Sequence, residues 1–154
     1  MTMKVYLMRH GEAAWTAPDQ DRCLTERGVQ ISRAVLQQDD LFQNFTRILC
    51  SPYRRARQTA EEAERLSGLE ASLHECLTPD ESPDYTLEDL TPYVQDGTLI
   101  VAHQPLLGSL VGLLTEGTIA RGYPFSTSEI VVLELEMWAS GCGRLLKTLN
   151  DRLG

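Results

Sequence analysis

An arginine and a histidine stand together at Arg9-His10, followed by Gly11-Glu12, and the chain holds only two other histidines, His74 and His103. Farther along, Ser51-Pro52 precedes a basic cluster of Arg54, Arg55 and Arg57, and Val101-Ala102 runs into His103-Gln104-Pro105. These residue types suit phosphoryl transfer, which asks a protein mainly for positioning and charge stabilisation. Arginine supplies a planar, permanently charged fork of donors matched to phosphate oxygens. A neutral imidazole is a competent nucleophile near pH 7 and divides the reaction through a covalent intermediate. Arg9 and Arg55 near His10 would disfavour its protonation and keep the attacking nitrogen free. Gly11 permits a tight turn or a close backbone approach, and the N–H groups that follow it can add to a phosphate cradle.

Plainer roles compete with these. A histidine or arginine after a strand often serves only as a hydrogen-bonded loop residue or a partner for a carboxylate. Arg54, Arg55 and Arg57 share a helix start, where Glu61 and Glu62 are available at helical spacing. Glu12 suits a helix entrance better than catalysis, and His74 reads as a bystander near a strand. Zinc held by His10, His103 and a cysteine lacks ligand spacing, so no metal and no cofactor is expected.

The elements that must position these residues alternate. Lys4 to Met8, Arg47 to Cys50 and Thr98 to Ala102 are short apolar runs that read as buried strands. Thr25 is a candidate N-cap for a helix to about Gln38, with Gly28 a weak point near its start. Tyr53 to Leu66 is rich in good helix formers and ends at Gly68, a suitable C-terminal cap. A weak strand is expected around Glu70 to His74, and Pro79 and Pro83 mark Glu75 to Tyr85 as loop. Thr86 and Asp89 then resemble a capping box for a short helix to about Val94. Leu106 to Leu114 reads as a buried helix, and Glu129 to Glu136 and Arg144 to Thr148 as strands of a hairpin turned at Ser140-Gly141-Cys142-Gly143.

Strands alternating with helices predict a three-layer α/β/α sandwich with a mostly parallel, mixed central sheet, read as a single domain over residues 1–154. Parallel strands place their C-terminal ends on one edge of the sheet, where open α/β folds bind ligands. Arg9-His10, Ser51 with Arg55, and His103 each follow such an end, so they are expected to converge on one rim.

Composition narrows the partners. The formal net charge of -8 disfavours nucleic acid. No apolar run is long enough to span a bilayer, and the first residues lack a signal-peptide pattern, so no membrane association and a cytoplasmic location are expected. The four cysteines, Cys23, Cys50, Cys76 and Cys142, show no C-x-x-C pair and are expected to be reduced and mostly buried.

Four segments resemble the histidine phosphatase superfamily, also called phosphoglycerate mutase-like: Met8-Arg9-His10-Gly11-Glu12, Leu24-Thr25-Glu26-Arg27-Gly28, Ser51-Pro52-Tyr53-Arg54-Arg55-Ala56-Arg57-Gln58-Thr59 and Val101-Ala102-His103-Gln104-Pro105. The resemblance implies that His10 is phosphorylated while Arg9, Arg55 and His103 bind the phosphoryl group and stabilise its transition state. Gly11, Ser51 and Arg22 are the further expected substrate contacts. Within the superfamily the chain looks most like the short SixA-type phosphohistidine phosphatases. The stretch from Thr59 to His103 leaves little room for a large cap insertion. Arg22 matches an arginine of that type, and Ser126-Thr127-Ser128 looks similar too. Cys23 stands where many relatives have proline.

No confident counterpart of the mutases' general-acid glutamate is found; Glu75, Asp80 and Glu81 lie in roughly the right loop without a matching motif. A phosphomonoester needs a proton delivered to its alkoxide, worth roughly 10²–10⁴ in rate. A phosphohistidine leaves as neutral imidazole once its other ring nitrogen is protonated. The expected activity is therefore hydrolysis of phosphohistidine on a signalling or phosphocarrier protein. The alternatives are a phosphatase for a small phosphorylated metabolite and a phosphohistidine-binding module without turnover.

Overall fold

Successive residues of the first strand bury into opposite cores. In β1 (Met3–Arg9), Val5 and Leu7 join one apolar cluster while Tyr6 and Met8 join a second, as side chains of period two on a two-sided sheet require. β4 (Thr98–Ala102) divides the same way, Ile100 and Ala102 against Leu99 and Val101. Residues 1–151 are described in this computed structural model; the last three residues of the expected domain, 152–154, lie outside them.

The sheet has six strands in the order β3-β2-β4-β1-β5-β6, with β2 at Arg47–Cys50, β3 at Ala71–Leu73, β5 at Ile130–Leu135 and β6 at Gly143–Leu149. β3, β2, β4 and β1 are parallel, and β5 and β6 run as antiparallel partners beyond β1. Helices α1 (Glu26–Gln37) and α2 (Arg54–Ser67) cover one face through Val35, Leu36, Ala56, Ala60 and Ala63. α3 (Pro83–Leu90) and α4 (Leu106–Glu116) cover the other through Leu90, Leu106, Leu107, Leu110 and Leu114. This is the expected three-layer sandwich with a mixed sheet, and no large insertion separates β3 from β4.

Topology creates the crevice. The chain leaves β1 toward the face carrying α1, whereas it leaves its neighbour β4 toward the face carrying α4. Adjacent strands whose connections part to opposite faces open a gap at their C-terminal ends. His10 and His103 are the first residues past those two ends.

Several local expectations hold. Thr25 caps α1 by accepting from the Gly28 N–H, and Gly68 closes α2 in the left-handed region (φ 77°). Gly28 is no defect: a Cβ there would lie 2.2 Å from the Glu12 carbonyl, so the loop after β1 crosses the helix where only glycine fits. One expectation fails. The segment Glu75 to Tyr85 is not all loop, and α3 starts not at Thr86 but at the Ser82 cap, with Pro83 in its first turn. Proline costs nothing there because the N–H it lacks has no helical partner. Thr86 is instead buried inside the helix, donating to the Cys76 carbonyl at 2.7 Å. All four cysteines are free; Cys50 and Cys76 are buried, while Cys23 and Cys142 are only half-buried.

Candidate active site

Strand register brings the first candidate residues together. Arg9 pairs with Ala102 and Cys50 with Val101. The His10 N–H then donates to the Ala102 carbonyl and the Ser51 N–H to the Val101 carbonyl, both at 3.0 Å. His10, Ser51 and His103 are thus neighbours because the sheet is parallel, and the two imidazole centroids are 5.2 Å apart. Arg55 comes from the first turn of α2. Arg9, His10, Arg22, Arg55 and His103 all line one cleft of about 380 Å³, together with Glu12, Trp15, Gln104 and Thr127.

Hydrogen bonding fixes the state of His10. Its Nδ1 lies 2.7 Å from the Gly11 carbonyl, which can only accept, so the proton resides on Nδ1. Nε2 keeps its lone pair and accepts from Arg55 Nε at 3.3 Å. Burial lowers the His10 pKa to about 3, and the Arg55, Arg9 and Arg22 charges act in the same direction against the Gly11 carbonyl. The ring is neutral at pH 7 with Nε2 unprotonated, the form a nucleophile needs. Burial is the larger cause, and sequence reasoning, which had only the arginines, missed it.

His103 is held from behind. Its Nε2 lies 2.8 Å from Ser51 Oγ, which also accepts from the Tyr53 N–H. Among the described residues His103 Nε2 is the acceptor within reach of the Ser51 proton, so the buried hydroxyl donates to it and the imidazole proton sits on Nδ1. Burial, then the His10 ring and the arginines, lower the His103 pKa to about 2. Among the described residues the buried side-chain polar atoms without a partner are His103 Nδ1 and Arg9 Nε. Leaving such donors unmet costs about 1–3 kcal/mol each, and both belong to this one cleft. They suit phosphoryl oxygens.

The arginines are anchored differently. Arg9 donates Nη1 to the Phe125 carbonyl at 2.9 Å. Arg55 is 4% exposed; besides His10 it meets the Asp19 carbonyl (2.8 Å) and carboxylate (3.3 Å). Arg22 reaches the Ala14 carbonyl (2.8 Å) and the Asp19 carboxylate (3.3 Å) and lies 4.0 Å over the Trp15 ring. Arg55 is buried rather than on the helix surface, and Glu62, one of the two glutamates at helical spacing, pairs with Arg33 and Arg65 instead.

Two expected substrate contacts sit one layer back. The Gly11 N–H is spent on Thr59 Oγ1 (3.0 Å), and a Cβ on Gly11 would fall 2.6 Å from Ser32 Oγ. Gly11 therefore holds the loop and orients His10 rather than lining the cleft. Ser51 is fully buried and faces His103. Sequence reasoning also left Thr59 without a role, although it closed the quoted motif; it ties α2 to the loop after β1 by accepting from the Gly11 N–H, while its own proton goes to the Arg55 carbonyl of the same helix. Gln58 beside it accepts from the Leu24 N–H at 2.6 Å. Asp19 and Trp15 were missed outright, because a polar loop with one aromatic carries no periodicity.

Glu75, Asp80 and Glu81 do not line the cleft. The one carboxylate among the described residues that lines it is engaged elsewhere: Glu12 accepts from Thr25 Oγ1 at 2.9 Å and faces Arg27 at 3.8 Å. Asp19 serves Arg22 and Arg55, whose contacts lower its pKa against the opposing effect of burial. Among the described residues no group of three or more His, Cys, Asp or Glu is placed to hold a metal ion, and no helix is long and apolar enough to cross a membrane.

Comparison with known proteins agrees with this geometry. The model of the histidine phosphatase superfamily (branch 1) matches residues 5–79. Phosphohistidine phosphatase SixA of Escherichia coli (strain K12) is 33% identical over 150 residues, 90% of this chain and 89% of that one. A SixA homolog of Haemophilus influenzae is 34% identical over 128 residues, 73% of this chain and 77% of its own. Among solved structures, SixA complexed with tungstate superposes with a TM-score of 0.84 at 31% identity, covering 97% of each chain. A mycobacterial glucosyl-3-phosphoglycerate phosphatase, 17% identical with a TM-score of 0.74 and covering 94% of this chain and 97% of its own, shares the fold.

Proposed function

From the premise that the chain belongs to the histidine phosphatase superfamily, we propose that this phosphatase acts on phosphohistidine carried by a protein and uses His10 as its covalent nucleophile. The observation that carries the proposal is the locked tautomer of His10, with Nδ1–H on the Gly11 carbonyl and Nε2 unprotonated beside Arg55 in a buried, cationic cleft.

The His10 Nε2 lone pair forms a bond to phosphorus as the bond from phosphorus to the substrate's imidazole nitrogen breaks. Its electron pair stays on that nitrogen, and the leaving ring, protonated at its other nitrogen, departs neutral. Arg9, Arg22 and Arg55 face the phosphoryl oxygens, where charge must be stabilised. The partnerless Nδ1–H of His103 adds a donor. The Gly11 carbonyl stabilises the positive ring that His10 becomes once phosphorylated. Water then attacks phosphorus, the bond to Nε2 breaks, inorganic phosphate leaves, and the proton lost by water passes to phosphate or solvent. Asp19 and Ser51 act through others: Asp19 positions Arg22 and Arg55, and Ser51 positions His103.

The engaged carboxylates support this substrate class. Glu12 is engaged by Thr25 and Arg27 and Asp19 by Arg22 and Arg55, so neither carboxylate is left unpartnered to serve an alkoxide. Transfer from one imidazole to another needs no such acid. SixA of Escherichia coli, similar over most of both chains, is itself a phosphohistidine phosphatase by name. The test compares kcat/KM on a phosphohistidine protein with a panel of phosphomonoesters. Phosphohistidine should lead by at least the roughly 10²–10⁴ that a general acid contributes to ester cleavage. Faster ester hydrolysis would overturn the substrate assignment.

A further inference from the structure

Trp15 lines the same cleft as His10 and yet is 89% exposed. A large aromatic left in water is unfavourable, and here it stands at the mouth of a reactive site. One face of its ring is occupied by the Arg22 guanidinium, 4.0 Å from the centroid. Arg22 is fixed in turn by the Ala14 carbonyl and the Asp19 carboxylate, so the ring rests on a rigid cationic backing. The other buried or half-buried aromatics of the chain have ring or core partners, such as Tyr53 against His103. Trp15 keeps one face open.

In-line displacement places the leaving nitrogen on the side of phosphorus opposite His10 Nε2. His10 is 6% exposed and forms the floor; the leaving group therefore lies toward the mouth, where Trp15 is. For phosphohistidine that leaving group is a flat aromatic ring, a natural partner for an open indole face.

We propose that Trp15 is a specificity-determining residue whose open face receives the imidazole leaving group, so that the lip of the cleft favours ring-bearing phosphoramidates over ring-free phosphoryl donors. This rests on the phosphohistidine reading given above. Phosphoimidazole and phosphoramidate isolate the effect, because both carry a phosphorus–nitrogen bond and only the first carries a ring.

The test measures kcat/KM for both compounds and for a phosphohistidine protein, with the wild-type protein, Trp15→Ala and Trp15→Phe. Trp15→Ala should lower the ratio of phosphoimidazole to phosphoramidate turnover by about tenfold, mainly through KM, and Trp15→Phe should recover most of it. An unchanged ratio, or equal losses on both compounds as expected if the ring merely supports Arg22, overturns the proposal. A wild-type protein that leaves phosphohistidine protein intact while hydrolysing esters overturns the substrate reading beneath it. If the wild type cleaves that protein and the ratio is unmoved, only the role of Trp15 fails.

Discussion

On the floor of the cleft His10 and His103 are 6% and 1% exposed, whereas Trp15 on its lip is 89% exposed. The floor residues follow strand ends, and their orientation comes from backbone carbonyls and fully buried hydroxyls: Gly11 for His10, Phe125 for Arg9, Ser51 for His103. The lip is a loop with a single 3-10 turn at Asp19–Asp21, held by contacts among Arg22, Asp19 and Trp15. Groups that must be in place to a fraction of an ångström are fixed by the sheet. Groups that meet varied substrate surfaces are fixed by exposed ion pairs, which are individually weak. Damage to the floor should thus abolish chemistry, and damage to the lip should retune it.

The largest effect belongs to His10, the proposed nucleophile. His10→Ala should lower kcat by at least about 10³-fold, because it removes the proposed attacking nitrogen and with it the covalent intermediate. Quenching the reaction in denaturant should trap an acid-labile, base-stable phosphoenzyme in the wild type and none in the variant. A variant that turns over normally would place the chemistry elsewhere than the floor.

Buried neutral histidines also tie the floor to the stability of the fold. His10 and His103 have folded pKa values of about 3 and about 2, against 6.5 when unfolded. Below pH 6.5 the unfolded chain binds two protons that the folded one refuses until the pH approaches those lower values. Stability is therefore full above pH 6.5 and is lost as pH falls, with the unfolding constant rising by up to about a hundredfold per pH unit. Urea titrations at pH 7.5 and 5 measure this, and ring NMR signals of both histidines should not titrate between pH 8 and 5. Signals that shift with a midpoint near 6.5 would show the rings to be solvated.

Arg55→Lys keeps a positive charge but loses the fork that contacts His10 and Asp19 together. Its kcat should fall by about 10²-fold, since lysine cannot reproduce a bidentate geometry. A loss of only two- or threefold would mean that the cleft uses Arg55 as a point charge.

How much of this was legible in the sequence divides along the same line. Strand ends announce themselves: apolar runs stopped at Arg9, Cys50 and Ala102 located the floor residues, and parallel pairing made them converge. Thr25, Gly68 and the strands were readable because capping and periodicity are local. The lip was legible only in Arg22; Trp15 and Asp19 were not, because their meaning lies in contacts with Arg22 and Arg55 that no local pattern announces. Gly11 and Ser51 were placed in the right neighbourhood but in the wrong layer, since a motif does not say which atoms its backbone has already engaged. α3 begins before its expected start because Pro83, which reads as a break in sequence, sits in the first turn of the helix.

Ser51 offers an intermediate case. Ser51→Ala removes the hydroxyl that donates to His103 Nε2 while leaving every group that lines the cleft. The ring then loses its fixed tautomer, and kcat should fall by about tenfold with little change in KM. Ser51→Thr, which keeps the hydroxyl, should recover part of the loss where the buried site admits the extra methyl. A KM effect at constant kcat would instead place Ser51 in substrate contact.

Asp19 should give the smallest effect and the sharpest view of the lip. Its carboxylate lies 3.3 Å from both Arg22 and Arg55, where a phosphoryl oxygen would compete for the same donors. Asp19→Asn keeps the carbonyl that accepts from Arg55 and removes the negative charge. Two consequences oppose each other: anions should bind more tightly, and the arginines should be less firmly oriented. Because the Asp19 side chain is 56% exposed, solvent screens the charge and neither term is large. Inhibition by inorganic phosphate should therefore strengthen by about two- to fourfold while kcat falls by a similar factor. Raising the salt concentration should shrink the first change and leave the second, since screening acts on charge and not on the geometry of the arginines. Weaker phosphate inhibition in the variant would mean that Asp19 matters to the lip as a scaffold alone.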